Sequence, residues 1–241
     1  MGEDHQLFGA CACAACAAGD RSALPRRRFL ALGAAAGMAG AALGGAAPAF
    51  AQTTMTPDAA LAALMAGNAR YVAGGSTLLS ESLQALRTST LEKQEPFAGI
   101  LSCADSRVPV ELVFDESIGK LFVTRVAGNI ATAEIIASLE YGAAVLGTKV
   151  IMVLAHQGCG AVKAAVGGGD EPGVITALYA PLHRAVADGH HDYETTAKLN
   201  AQYQAQILAT ASPVLAGLIG TGDLKVVAGY YALASGQVSL L

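Results

Sequence analysis

The apolar runs of this chain are of two kinds, and their spacing tells them apart. Residues 97–102 and 149–155 are short and almost unbroken, with Val150, Ile151, Met152, Val153 and Leu154 in series. Runs of that length without polar alternation read as strands covered on both faces, as in a parallel sheet. Residues 121–125 and 224–233 also read as strands, and residues 237–241 return after Gly236 as the second arm of a closing hairpin. Elsewhere the period lengthens. Leu61, Leu64, Met65, Tyr71 and Val72 recur near helical spacing behind Pro57 and stop at Gly74-Gly75, which predicts an N-terminal helical arm suited to packing on a partner subunit. Further helices are predicted over residues 80–91, 132–146, 160–166, 174–187 and 193–210, with loop and at most a short helix over 108–117. Strands alternating with helices imply an α/β fold with a mainly parallel central β-sheet flanked by helices.

Residues 1–51 stand apart from this pattern. Pro25-Arg26-Arg27-Arg28-Phe29-Leu30 carries a twin arginine, an aromatic and a leucine, and residues 31–47 then run apolar without a charge. This is the layout of a twin-arginine export signal, with Ala49-Phe50-Ala51 supplying the small residues of a cleavage site before Gln52. The Ala/Gly-rich run is short and weakly apolar for a membrane anchor. The expected organisation is a signal over 1–51 and one domain over 52–241, periplasmic or extracellular, with no stable membrane span after processing. Cys11, Cys13 and Cys16 leave with the signal, so the domain keeps only Cys103 and Cys159. The signal also takes four of the basic and three of the acidic residues, leaving the domain with net charge −5 and no basic patch. Nucleic acid is excluded as a partner on that ground.

Two short motifs end the two clearest strands. Cys103-Ala104-Asp105-Ser106-Arg107 follows the first, and His156-Gln157-Gly158-Cys159 follows the other. Ligands of open parallel sheets sit beyond the carboxyl ends of the strands, so both motifs fall where a site is expected. Cys103, His156 and Cys159 are a donor set that zinc prefers, and three protein ligands leave a fourth position for water. Two lone cysteines could instead form one disulfide, but a disulfide gives no role to the neighbouring imidazole. With two thiolates on the metal, the pKa of its water should lie above the value of about 7 reached with three histidines. Asp105 can bind the metal or stand back and accept a hydrogen bond from the metal-bound hydroxide. A two-pronged salt bridge from Arg107 would hold it back. A helix starting near Gly160 would aim backbone N–H groups at the site. His183, His190 and His191 read as solvent-facing.

These motifs resemble the β-class carbonic anhydrases over residues 57–241. The likeness rests on Cys-x-Asp-Ser-Arg at 103–107, His-x-x-Cys at 156–159, Gly119-Lys120-Leu121-Phe122-Val123-Thr124-Arg125-Val126-Ala127-Gly128-Asn129, and Ser138-Leu139-Glu140-Tyr141. The resemblance implies one Zn2+ per chain on Cys103, His156 and Cys159. It implies reversible hydration of carbon dioxide to bicarbonate and a proton, with zinc hydroxide as nucleophile and the Asp105–Arg107 dyad as catalytic residues. It also implies a homodimer or a multiple of dimers. Gln94, Phe122, Tyr141 and Gly160 match substrate-binding positions of the permanently open, plant-type subclass. Ala127 stands at the pocket position where that subclass usually has valine, and Ala155 precedes the histidine where glycine is common. The subclass that closes its zinc uses a tryptophan three residues before the first cysteine; that position is Ile100, and the chain has no tryptophan. Two rival readings use the same residues: hydrolysis of carbonyl sulfide or carbon disulfide, and a zinc protein that binds bicarbonate without turnover.

Overall fold

The computed structural model describes residues 52–241 except Leu79, Glu81 and Asp170. The proposed signal, its twin arginine and Cys11, Cys13 and Cys16 lie outside the described residues. The elements, in order, are α1 (Pro57–Val72), α2 (Leu83–Ser89), β1 (Ala98–Ser102), α3 (Val110–Val113), β2 (Leu121–Arg125), α4 (Ala133–Ala144), β3 (Val150–His156) and α5 (Gly160–Gly167). Two 3-10 turns follow, and then α6 (His183–Asp188), α7 (Tyr193–Ala211), α8 (Pro213–Gly220), β4 (Lys225–Tyr231) and β5 (Val238–Leu240).

The sheet order is β2-β1-β3-β4-β5, with the first four strands parallel and β5 antiparallel to β4. Every residue of β1 and β3 is buried, and the side-chain alternation of a strand explains how. Ile100, Val150, Met152 and Leu154 pack on one face with Leu64 of α1 and Phe114 behind α3. Leu101, Ile151 and Val153 pack on the other with Leu139 of α4 and Ala201 and Leu208 of α7. Both faces are apolar because both are covered. Truncating Leu101 or Leu139 to alanine would cost about 2–5 kcal/mol, as for other fully buried leucines.

Side-chain caps mark where α1, α7 and α8 begin. Thr56 Oγ1 accepts from Ala59 N ahead of Pro57, Asp192 Oδ1 accepts from Thr195 N, and Ser212 Oγ accepts from Leu215 N ahead of Pro213. The predicted arm packs on its own chain: Ala60, Leu64, Gly67 and Asn68 of α1 are buried. A Cβ on Gly67 would lie 1.8 Å from the Phe114 carbonyl oxygen, so this approach requires glycine.

Two predicted segments are corrected and one helix is added. The helix expected over 80–91 is the two-turn α2, which buries no residue, so little tertiary packing extends it. The helix expected over 174–187 is instead the 3-10 turns Ile175–Leu178 and Ala180–Leu182 followed by α6. Pro181 lacks the N–H that a continuous α-helix would need there. Helix α8 lies in a stretch to which the pattern assigned nothing, although Ser212-Pro213 is a start signal. The closing hairpin is present, turned by Gly236 at φ 74°.

Candidate metal centre

Register brings the two motifs together. Ser102 of β1 pairs with Leu154 of the adjacent β3, so Cys103 leaves its strand one step before His156 ends the neighbouring one. Cys159 then sits at the N-cap of α5, which begins directly behind it. All three side chains are buried, and their donor atoms lie within 4.8 Å of one another. They are the only such donor cluster among the described residues.

The arrangement fits a tetrahedral zinc. Two sulfurs bound at about 2.3 Å in tetrahedral geometry stand about 3.8 Å apart, and Cys103 Sγ and Cys159 Sγ are separated by 3.9 Å. His156 is fully buried, and its Nε2 has no hydrogen-bond partner. Its Nδ1 lies 3.0 Å from the Gln157 carbonyl oxygen, which suits an N–H donor and leaves the lone pair on Nε2. A buried nitrogen without a partner costs free energy unless it ligates a metal. Gln157 is itself anchored, its N–H donating to Tyr231 O at 2.9 Å.

Without a metal the sulfurs share protons unequally. The Cys159 thiol donating to Cys103, with the nearby His156 ring and the N–H of Gly128 adding to it against the effect of burial, draws Cys103 below the usual thiol range. The bond to the Cys103 thiolate, burial and the nearby charge push Cys159 up, opposed by the N–H groups of Val162 and Ala161. Those two donors come from the first turn of α5, where the helix beginning near Gly160 was expected to supply them. A Cβ placed on Gly160 would meet nothing within 4 Å, so the space beside it is open.

Asp105 stands beside this cluster. Its Oδ1 accepts from Arg107 N and Arg107 Nε, both at 2.9 Å, and its Oδ2 accepts from Arg107 Nη2 at 2.8 Å. These Arg107 hydrogen bonds outweigh burial and hold the carboxyl well below the usual carboxylate range. Asp105 Oδ2 lies 3.9 Å from His156 Nε2, near the donors and turned to the arginine. Arg125 was missed as a site residue. From the end of β2, its Nε donates to Cys103 O at 3.0 Å and its Nη2 to Asp105 O at 2.6 Å, clamping the loop. The signal in the sequence is a charged residue closing the strand-like run Leu121-Phe122-Val123-Thr124.

Of the predicted site residues, Cys103, Asp105, Arg107, Ala127, His156, Cys159 and Gly160 gather at this end of the sheet. Ala127 belongs to the turn whose next residue, Gly128, donates its N–H to Cys103 Sγ at 3.4 Å. Gln94, Phe122 and Tyr141 do not join them within the chain. Phe122 pairs with Gly99, which precedes Cys103 by about 13 Å of strand. Its ring lies 6.3 Å from that of Tyr141, which is 44% exposed on α4. Gln94 is exposed, just before the point where Glu95 N–H and Phe97 N–H donate to Gly119 O and Lys120 O ahead of β2. His183, His190 and His191 are solvent-facing as expected.

The sequence model of the carbonic anhydrase family matches residues 98–238. A carbonic anhydrase of Mycolicibacterium smegmatis is 35% identical over 201 residues, covering 76% of this chain and 93% of that protein. Carbonic anhydrase 2 of Mycobacterium tuberculosis is 34% identical over 192 residues, covering 76% of this chain and 92% of the relative. The structure of a β-carbonic anhydrase from Coccomyxa, solved with acetazolamide, superposes with a TM-score of 0.59 at 27% identity, covering 66% of this chain and 78% of that one. Both cysteine motifs fall inside the matched span, at the strand ends where the metal donors converge, and the chain therefore belongs to the β-class of the carbonic anhydrase family.

Proposed function

We propose that this enzyme hydrates carbon dioxide reversibly to bicarbonate and a proton at the Cys103–His156–Cys159 centre, in a site that stays open. The observation that carries the reading is the buried His156 Nε2 without a partner, facing two sulfurs at zinc spacing with the clamped Asp105 alongside. Zinc held by Cys103, His156 and Cys159 would supply a Lewis acid that lowers the pKa of water, giving a nucleophile suited to a small electrophilic carbon.

The chain's own groups do the rest. Asp105 Oδ2, engaged by Arg107 Nη2, keeps a lone pair with which to accept a hydrogen bond from the attacking water and aim its oxygen at the carbon. Arg107 keeps that carboxylate ionised and out of the fourth ligand position. The Gly160 amide, at the open N-terminus of α5, is placed to donate to a product oxygen. Ile100 and the absence of tryptophan support the open subclass, because an isoleucine side chain offers no N–H to an anion.

Gln94, Phe122 and Tyr141 stand at the other end of the sheet, so their substrate role requires a second subunit. The active unit is accordingly proposed to be a homodimer or a multiple of it, with Gln94 and the Phe122–Tyr141 wall presented to the partner's metal centre. Export by the twin-arginine route would deliver the domain folded and metal-loaded to the periplasm or beyond, with the thiols protected from oxidation on the way.

Stopped-flow carbon dioxide hydration on metal-quantified protein tests the reading, with carbonyl sulfide as a parallel substrate. Turnover of carbon dioxide that scales with zinc content is the expected result. Preference for carbonyl sulfide, or zinc-loaded protein inert to both, would overturn it.

A further inference from the structure

Helix α7 carries two buried carboxamides, Asn200 and Gln204, one turn apart. Each hides two donors and an acceptor from water, which is costly unless all are used. Their hydrogen bonds form a chain with a forced direction. The Ala131 N–H can only donate, so Gln204 presents Oε1 to it at 2.8 Å. Gln204 Nε2 then donates to Asn200 Oδ1 at 3.1 Å and to Pro181 O at 3.3 Å. That leaves Asn200 Nδ2 donating to the Gly128 carbonyl oxygen at 2.8 Å. One backbone donor thus fixes both amides, since flipping either would set oxygen against oxygen.

Gly128 is the residue whose N–H reaches Cys103 Sγ. It occupies the third place of a turn closed by Asn129 N–H to Val126 O at 2.9 Å, with φ at 78°. A turn of this kind takes glycine there, and glycine is the residue whose backbone drifts most easily. The closing hydrogen bond leaves the Gly128 carbonyl unheld; Asn200 holds it. On the other side a Cβ at this position would come within 3.3 Å of the Ala161 Cβ, so the turn is packed against α5 as well.

We infer that Asn200, oriented by Gln204, is a positioning residue of the metal centre. It fixes the Gly128 turn so that the Gly128 N–H stays on the Cys103 thiolate, and this tightens the hold of the centre on zinc. A buried thiolate gains from a donor that needs no reorganisation, and loss of such outer partners lowers metal affinity by about 10–100-fold in other sites. The inference rests on the zinc assignment of the proposed function but not on the reaction. A zinc-binding protein that failed to hydrate carbon dioxide would overturn the activity and leave this role intact.

The test uses the full chain loaded with cadmium-113 or zinc. In the cadmium protein, the Gly128 amide proton is expected to show scalar coupling to the metal through the sulfur, and to lose it in Asn200→Ala. Transfer of zinc to a chromophoric chelator should be about 10-fold faster in Asn200→Ala, and faster still in Asn200→Asp, which sets an oxygen against the Gly128 carbonyl. Asn200→Ser, a milder change, should fall between wild type and Asn200→Ala, and it carries the comparison if the alanine variant does not fold. Thr196→Ala is the control: Thr196 is buried one turn earlier on the same helix, and its Oγ1 has no partner. That variant should alter stability and leave zinc release unchanged. Absence of the Gly128 coupling in the wild type, or Asn200 variants that release zinc no faster than Thr196→Ala, would overturn the inference.

Discussion

Replacing Arg107 by alanine tests the proposal that its side chain keeps Asp105 off the metal position. The side chain gives the carboxylate two charge-assisted hydrogen bonds, at 2.9 and 2.8 Å, while the backbone N–H at 2.9 Å survives the substitution. Charged hydrogen bonds contribute about 1.5–3 kcal/mol each when shielded. The Arg107 side chain is 55% exposed, so solvent screening leaves each bond well below that shielded value. Losing both shifts the balance between clamped and released carboxylate by about 10–30-fold. Asp105 Oδ2 is already 3.9 Å from His156 Nε2, so side-chain rotation is enough to make it a fourth metal donor. On metal-quantified protein, kcat/KM for carbon dioxide hydration should fall by up to about 30-fold with zinc content unchanged. Arg107→Lys keeps the charge without the planar fork and should fall less. The decisive comparison is the double variant. If Arg107 acts only through Asp105, adding Arg107→Ala to Asp105→Ala lowers activity no further. A highly active Arg107→Ala enzyme, or a double variant well below the Asp105→Ala single, would refute this reasoning.

Three further outcomes are expected. Asp115, whose side chain is buried at φ 48° and accepts from Arg70, Ser76 and Thr77, ties α1 to the end of α3. Asp115→Asn keeps a residue tolerant of that backbone and removes the charge, which should cost about 3 kcal/mol and about 6–12 °C in Tm by thermal denaturation. Burial raises the Asp115 pKa, but the Ser76 hydroxyl, Arg70 and the Thr77 N–H and hydroxyl outweigh it and hold the group well below the usual range. Its contribution is therefore present above the unfolded pKa of about 4 and declines as pH falls from there through the lower folded value. Urea titrations should show the gap between wild type and Asp115→Asn narrowing on acidification, and a gap that widens would contradict the sign. Co-refolded Gln94→Ala and Asp105→Ala subunits should recover about a quarter of wild-type activity, since half the dimers are mixed and each holds one intact site; a mixture no better than its parents would exclude a shared site. Arg26→Lys with Arg27→Lys should leave the precursor in the cytoplasm by cell fractionation, and unchanged export would remove the twin-arginine reading.

The core of the sheet was legible because its requirements are local. An unbroken run such as Val150 to Leu154 needs cover on both faces, and the structure supplies α1 on one side and α4 and α7 on the other. The metal donors were legible for a related reason: each motif sits at the end of such a strand, so finding the strands located the site. The segment over 174–187 was misread because its apolar residues keep helical spacing while Pro181 denies the backbone bond that spacing alone cannot report. Helix α8 is only eight residues long, too short for periodicity to mark, and the Ser212-Pro213 cap pair is its one signal in the sequence.

What sequence spacing could not show is which distant groups hold the loops around the donors. Arg125 reaches the carbonyls of Cys103 and Asp105 from the end of the neighbouring strand. Asn200 reaches Gly128 across 72 positions of sequence. Nothing in a helical pattern separates an asparagine that faces water from one that holds a turn; only the register of α7 against the sheet decides it. The same limit governs the substrate pocket. Gln94, Phe122 and Tyr141 were identified by resemblance, which carries no geometry, and the fold puts them at the opposite end of β1 from the metal donors. A monomer therefore holds the metal donors and their clamp at one end and the proposed apolar wall at the other. If those three residues bind substrate, each metal centre meets its pocket only across a subunit boundary, and dilution that separates subunits should abolish hydration while leaving zinc bound.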